Sequence, residues 1–218
     1  MDPFPQLPEA SHSYTEAQAH SVLVDEYLGF RTEEIETKLQ QEWGPKTLAS
    51  DVQAWVGLPV QAMQTPYTEI RQILDLLLPV KESTIVDLGC AYGRMAHVVG
   101  RHFPDVNFIG YELVPERVSE GNRVLSKFHH PRCVLETADL SEAHFVPPVA
   151  EYYFIFDFGS RSAIEKILED LKKIALQKSI TVVARGRGIR HWIYQGHPWL
   201  FAIHEPRVFD HFSIFRPS

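Results

Sequence analysis

Cysteine is scarce in this chain: two in 218 residues, Cys90 and Cys133, with no CxxC pair. That excludes a disulfide framework and a cysteine-built zinc cluster, and no metal is expected. No apolar run approaches the ~20 residues needed to cross a bilayer. No basic start leads into a short apolar stretch, so the cytoplasm is the expected compartment and a membrane is not an expected partner. No basic footprint appears, which argues against nucleic acid as a partner. Internal repeats and low-complexity tracts are absent as well. What remains is an ordinary globular composition, 44% apolar, 22% charged and 11% aromatic, enough for one domain with a sizeable core and a small appendage.

The net charge of −7 is carried entirely by one end. Residues 1–64 hold three basic side chains against ten acidic ones, whereas residues 65–218 hold eighteen of each. Two parts with different tasks are therefore expected: an arm and acidic helical module over 1–64, and a main domain over 65–218.

Residues 1–13, with three prolines, read as a loose arm. A helix is expected over 14–30, with Ala17, Val22, Leu23 and Leu28 turned inward. Thr32 caps a second, with acids in its first turn where the helix dipole favours them, and Gly44-Pro45 ends it. Ser50-Asp51-Val52-Gln53 fits a capping box ahead of a short helix carrying Trp55 and Val56. Thr65-Pro66 opens a further helix, proline taking its first position. Strand-like and helix-like segments then alternate: strands at 84–88, 106–111, 133–137, 152–157 and 180–184, helices at 94–103, 115–128 and 162–175. Such alternation means crossover connections and an α/β fold, a Rossmann-like doubly wound and mostly parallel sheet. Two last runs, 201–204 and 212–215, are expected to pair antiparallel at one edge.

Ile85-Val86-Asp87-Leu88-Gly89-Cys90-Ala91-Tyr92-Gly93-Arg94 carries the clearest chemistry. An apolar strand ends in an acid, glycines bracket a turn, and a helical pattern follows at once. Such a turn aims unpaired N–H groups at a ligand above the strand's carboxyl end. A phosphate loop needs Lys-Ser or Lys-Thr after its second glycine, and neither is there. A dinucleotide loop wants glycine where Ala91 stands.

The remaining pattern, Asp-x-Gly-x-x-x-Gly after the first strand, resembles motif I of the class I, seven-stranded, S-adenosylmethionine-dependent methyltransferases. Glu112, at the close of the second strand in Ile109-Gly110-Tyr111-Glu112, stands where a carboxylate offers two oxygens to a ribose diol. The resemblance implies that Asp139, in Ala138-Asp139-Leu140, accepts from the adenine amino group. It makes S-adenosylmethionine the expected cofactor, held by Asp87, Gly89, Cys90, Ala91, Tyr92, Gly93, Glu112, Asp139 and Leu140. The fourth strand ends in Asp157-Phe158-Gly159-Ser160, the family's place for substrate-facing residues, and Asp157 is the candidate catalytic acid.

Methyl transfer requires a nucleophile aligned with the methyl carbon, and an amine acceptor must first lose a proton. The Asn/Asp-Pro-Pro-Tyr signature of adenine and glutamine methyltransferases is absent. Ala184-Arg185-Gly186-Arg187-Gly188-Ile189-Arg190 follows the fifth strand, and Arg185 and Arg187 are candidate forks for an acidic group on the substrate. Thr65-Pro66-Tyr67 resembles a short motif of protein-lysine methyltransferases of the Dot1-like kind, which would put Tyr67 near the cofactor mouth and let the acidic module steer a basic protein segment. The expected activity is methyl transfer to nitrogen or oxygen on a protein or small-molecule acceptor. The alternatives are a Dot1-like protein-lysine methyltransferase, an NAD-dependent oxidoreductase and a non-catalytic S-adenosylmethionine-binding domain.

Overall fold

The computed structural model describes residues 2–6, 13–47 and 54–217, without the side chains of 43–47. The capping box expected at residues 50–53 lies outside the described residues. Among the described residues, four helices precede the first strand: α1 (Tyr14–Leu28), α2 (Thr32–Thr47), α3 (Val60–Met63) and α4 (Tyr67–Leu77). Then come β1 (Thr84–Leu88), α5 (Arg94–His102), β2 (Asn107–Glu112), α6 (Pro115–Lys127), β3 (Cys133–Thr137), β4 (Tyr152–Phe156), α7 (Arg161–Ala175) and β5 (Thr181–Arg185). The chain closes with α8 (Arg187–Gly196), a 3₁₀ turn at Pro198–Leu200, β6 (Arg207–Val208) and β7 (Phe212–Phe215).

The seven strands form one sheet in the order β3-β2-β1-β4-β5-β7-β6. β1 to β5 run parallel, and β7 lies antiparallel between β5 and β6. This is the expected Rossmann-like architecture. A dinucleotide fold has a sixth parallel strand beside β5; the antiparallel β7 takes that place here.

Alternation along the strands divides the core into two layers. Ile85, Phe154, Val183 and Ile214 face the layer under α1, α4 and α5. Val86, Tyr153, Ile155, Val182 and Ala184 face the layer under α7 and α8. Ile164, Ile167, Leu168 and Leu171 of α7 are fully buried there, each contributing roughly 1.5–3 kcal/mol relative to exposure.

The N-terminal helices depart most from expectation. Val22 and Leu23 are 39% and 64% exposed, while Val24 and Leu28 enter the same core as Tyr67 and Ile70. The inward stripe of α1 is Ala17, Ser21, Val24, Asp25 and Leu28, and a search by apolar residues misses it because two of its members are polar. Both are satisfied: the Ser21 hydroxyl accepts from the Tyr67 N–H, and Asp25 pairs with Arg94. The helix is closed by a capping box at Ser13 and Glu16 and by Gly29 in the left-handed region. α2 runs past Gly44-Pro45 to Thr47. Trp55 and Val56 lie in an irregular turn rather than a helix. The described part of the arm is docked: Phe4 is 2% exposed, its ring stacked 5.2 Å from Tyr67.

At the other end, β7 takes its expected place, but its partner is Arg207–Val208, and 201–204 form a bent turn. The arginine-glycine run is no loop. Gly186 (φ 99°) ends β5 sharply, and α8 starts at Arg187 so that Ile189 and Ile193 can be buried.

Candidate ligand site

β1 and β4 are neighbours whose chains depart to opposite faces, so a crevice opens above their carboxyl ends. A cavity of about 450 Å³ lies there. It is walled by the turn after β1 (Gly89, Ala91), the end of β2 (Glu112, Leu113), the turn after β3 (Ala138, Asp139, Leu140), the end of β4 (Phe156, Asp157, Phe158) and the 54–63 segment (Trp55, Ala62, Met63). A smaller inner cavity of about 40 Å³ continues beneath it, lined among others by Gln64, Thr65, Asp87, Cys90 and Arg94.

The turn after β1 is held by backbone and by one acid. The N–H groups of Gly89 and Cys90 both donate to the Tyr111 carbonyl at 2.9 Å. The Ala91 N–H donates to Glu112 Oε2 at 3.0 Å. Gly89 has φ 92°, and a Cβ there would lie 2.4 Å from the Phe158 Cβ, so only glycine lets β1 turn under β4's continuation. Ala91 adopts φ 48° without being glycine, a conformation that costs an L-residue about 1–2 kcal/mol.

The acids differ in their engagements. Glu112 is 7% exposed and accepts from the N–H groups of Ala91 and Val114; each oxygen keeps a second lone pair. Burial pushes its carboxyl up, and Arg117 opposes the shift. Asp87 has no hydrogen-bond partner among the described residues; desolvation, with the Glu112 charge adding to it, holds its carboxyl at about 7. Asp139 Oδ1 closes a local turn by accepting from the Ser141 N–H at 2.9 Å and its hydroxyl at 2.5 Å. Asp157 (φ 22°) accepts the Ile189 N–H at 3.0 Å and so caps the start of α8; burial raises its pKa.

The fold has solved counterparts. Neither a protein-family model nor a curated protein sequence matches the chain. Among solved structures, it is similar to a precorrin-6y C5,15-methyltransferase from Geobacter metallireducens GS-15, with 15% identity, a TM-score of 0.56, and 73% of this chain against 90% of that one. It is also similar to an S-adenosylmethionine-dependent methyltransferase from Aquifex aeolicus, with 13% identity, a TM-score of 0.51 and 72% against 94% coverage. TrmN from Thermus thermophilus matches at 13% identity and a TM-score of 0.54, over 71% of this chain and 48% of its own. The chain has the class I S-adenosylmethionine-dependent methyltransferase fold. For several of the matched structures, TrmN included, it spans about half the length or less.

On this methyltransferase fold, Gly89, Ala91, Glu112, Asp139, Leu140 and Asp157 line the larger cavity, and Asp87, Cys90 and Arg185 line the inner one. Four expected site residues lie elsewhere. Tyr92 turns its hydroxyl away to Glu36 at 2.8 Å. Gly93 packs against Leu135, where a Cβ would come within 2.6 Å. Tyr67 is fully buried, its hydroxyl donating to Asp25 at 2.8 Å and its ring 5.0 Å from the Arg94 guanidinium. Arg187 is exposed, away from both cavities. Arg185 reaches the inner cavity already taken: it donates to Glu69 at 2.6 and 3.3 Å and to the Tyr14 hydroxyl at 3.1 Å. Its charge is compensated inside the protein, so it makes no free fork for an acidic substrate.

Sequence reading missed Trp55, Met63, Gln64 and Arg117. The Trp55 indole N–H donates to the Asp157 carbonyl at 2.9 Å across the cavity mouth. Only the topology brings residue 55 beside residue 157; no local pattern carries that signal.

Proposed function

We propose that the chain is an S-adenosylmethionine-dependent methyltransferase whose acceptor is a neutral or cationic molecule that attacks through a nitrogen or oxygen lone pair, an ammonium losing its proton first. The observation that carries this reading is the pair Asp87 and Glu112. Two carboxylates stand at the mouth of a glycine turn, one without a hydrogen-bond partner among the described residues and the other with spare lone pairs, in a crevice of this fold. Glu112 would take the ribose hydroxyls, the free oxygen of Asp139 the adenine amino group, and Leu113 and Leu140 the adenine faces. Bound there, S-adenosylmethionine supplies an electrophilic methyl group.

The walls argue about the acceptor by charge. The three guanidiniums that line the two cavities are consumed inside the protein, Arg185 by Glu69, Arg117 by Glu36 and the Ala54 carbonyl, and Arg94 by Asp25. The carboxylates of Asp87, Glu112, Asp139 and Asp157 remain on the walls. An acidic acceptor would meet carboxyl groups and, among the described residues, no unpaired guanidinium, so the arginine-fork idea is set aside. Asp157, whose carboxylate burial makes a stronger base, is the group proposed to take the acceptor's proton. Two of the acids counted in the N-terminal charge, Asp25 and Glu36, are buried in pairs with Arg94 and Arg117. They therefore contribute little to steering a basic protein.

The test is transfer of labelled methyl from S-adenosylmethionine to fractionated protein, RNA and small-molecule pools. Label in a protein or amine-bearing small-molecule fraction, lost in Asp157→Asn while cofactor binding persists, supports the reading. Label confined to carboxylate or phosphate esters contradicts it.

A further inference from the structure

A third cavity lies at the edge of the sheet, toward the end opposite the crevice. β7 runs antiparallel to β5, with Phe212 opposite Arg185 and Phe215 opposite Val182. β7 therefore ends, and β6 begins, toward the amino ends of the parallel strands. The cavity there, about 320 Å³, is walled by His204, Glu205, Arg207, Ile214 and Arg216. It shares no residue with the two cavities of the crevice. Ile214, opposite Arg207 in the ladder, is 2% exposed and gives the cavity an apolar floor. The polar residues around it are exposed.

Arg94, Arg117 and Arg185 each grip a carboxylate; the two arginines of this cavity do not. Among the described residues, Arg216 has neither an ion pair nor a hydrogen bond, and Arg207 has only the Phe209 ring, 5.6 Å from its guanidinium. Glu205 is unpaired too, although it shares the wall with both. Opposite charges thus border one concavity without closing on each other. Two guanidiniums offer planar forks of donors, the geometry that matches a carboxylate or a phosphate. The Phe209 ring restrains one of them before any ligand arrives. Glu205 carries acceptors only when ionised, so it repels a ligand that is anionic at both ends and admits one with a single anionic group. The volume falls in the range of small-molecule sites, and an apolar floor with a few convergent polar groups is their usual make-up.

We propose that this cavity is a second ligand site, built for a small organic molecule with one phosphate or carboxylate group held by Arg207 and Arg216 and an apolar body resting on Ile214. The crevice has the opposite complementarity: its arginines are paired and its walls carry carboxyl groups. One anion would therefore not serve both places, and the site stands whether or not the crevice transfers methyl groups.

Titration of the full chain with phenyl phosphate, benzoate and the uncharged benzyl alcohol, at constant ionic strength and followed by amide resonances in proton–nitrogen NMR spectra, tests this. At least one anion should saturate a single site, moving resonances of residues 204–216 and leaving those of 87–91 in place, while benzyl alcohol moves neither set. Whichever anion binds tighter names the group the site takes. Arg207→Gln and Arg216→Gln should each weaken that binding at least about fivefold, the upper range for an exposed ion pair. Arg187→Gln removes the same charge at an exposed position outside all three cavities and should stay within about twofold of the parent. Glu205→Gln should bind the anion tighter. Shifts that never saturate overturn the proposal, as does benzyl alcohol binding like the anions or Arg187→Gln weakening binding as much as the other two. If a variant fails to fold, the parent series with its resonance map decides alone.

Discussion

Arg117 Nε lies 2.8 Å from Glu36 Oε1, and Arg117 Nη2 lies 3.0 Å from Glu36 Oε2, a two-point grip between α6 and α2 with both side chains buried. The same guanidinium stands 3.6 Å from Glu112, and Glu36 also receives the Tyr92 hydroxyl. Removing one partner of such a pair strands a charge in low dielectric, which typically costs about 3–5 kcal/mol. Glu36→Ala should therefore lose about that much stability in urea denaturation, although residue 36 lines neither the larger nor the inner cavity. A loss below about 1 kcal/mol would mean that α2 is not anchored by this pair.

His97 gives the fold a specific acid sensitivity. It is fully buried among the rings of Phe30, Phe128 and His130, and neither ring nitrogen meets a hydrogen-bond partner among the described residues. Burial, with His130 adding to it, lowers its pKa to about 3. The unfolded chain then takes up this proton first. The contribution is complete above the ordinary value near 6.5 and is lost as pH falls toward 3, with a slope of about 1.4 kcal/mol per pH unit. Asp87, held near 7, acts in the opposite sense between about 4 and 7, so the parent's profile alone mixes the two. The difference in unfolding free energy between the parent and His97→Phe isolates the histidine. It should grow steadily from pH 6.5 downward; a flat difference would show that His97 is solvated.

Ala91 holds a left-handed backbone conformation within the glycine turn. Glycine there removes the strain but adds freedom to the unfolded chain, about 0.4–1 kcal/mol in the other direction. Ala91→Gly should be neutral or stabilising by up to about 1 kcal/mol, read as a thermal shift, with nucleoside affinity retained. A clear destabilisation would place the Ala91 methyl in packing that outweighs its φ.

The two arginines read together in the sequence should separate. Arg187→Ala, at an exposed position, should change stability by less than about 0.5 kcal/mol and leave S-adenosylhomocysteine binding unchanged. Arg185→Ala leaves Glu69 buried without its counterion and should cost about 3–5 kcal/mol. Equal, small effects in both would contradict the buried pairing.

Periodicity made the sheet legible. β1 and β3 match the expected spans, and the other parallel strands and α5 to α7 begin or end within a residue or so, because apolar alternation and the 3.6-residue stripe are local properties of the chain. The walls of the crevice were legible where a short motif names them, at Asp87, Gly89, Glu112 and Asp139, all of which line one cavity or the other. It was illegible where one end of the chain reaches another. Asp25 with Arg94, Glu36 with Arg117, and Glu69 with Arg185 each join residues more than sixty apart, so charges that look like a solvated face or a free fork are buried counterions. α8 was missed for a related reason: Gly186 and Gly188 read as loop, and the Ile189–Ile193 stripe that buries the helix is only one turn long.

The central claim is that the crevice binds S-adenosylmethionine through Glu112. Isothermal titration of S-adenosylhomocysteine into the parent and into Glu112→Ala tests it most directly. Saturable one-to-one binding by the parent, weakened by about 1–3 kcal/mol in the variant, is predicted from the polar contacts left unpaired. No binding by the parent, or equal affinity in the two proteins, would contradict it.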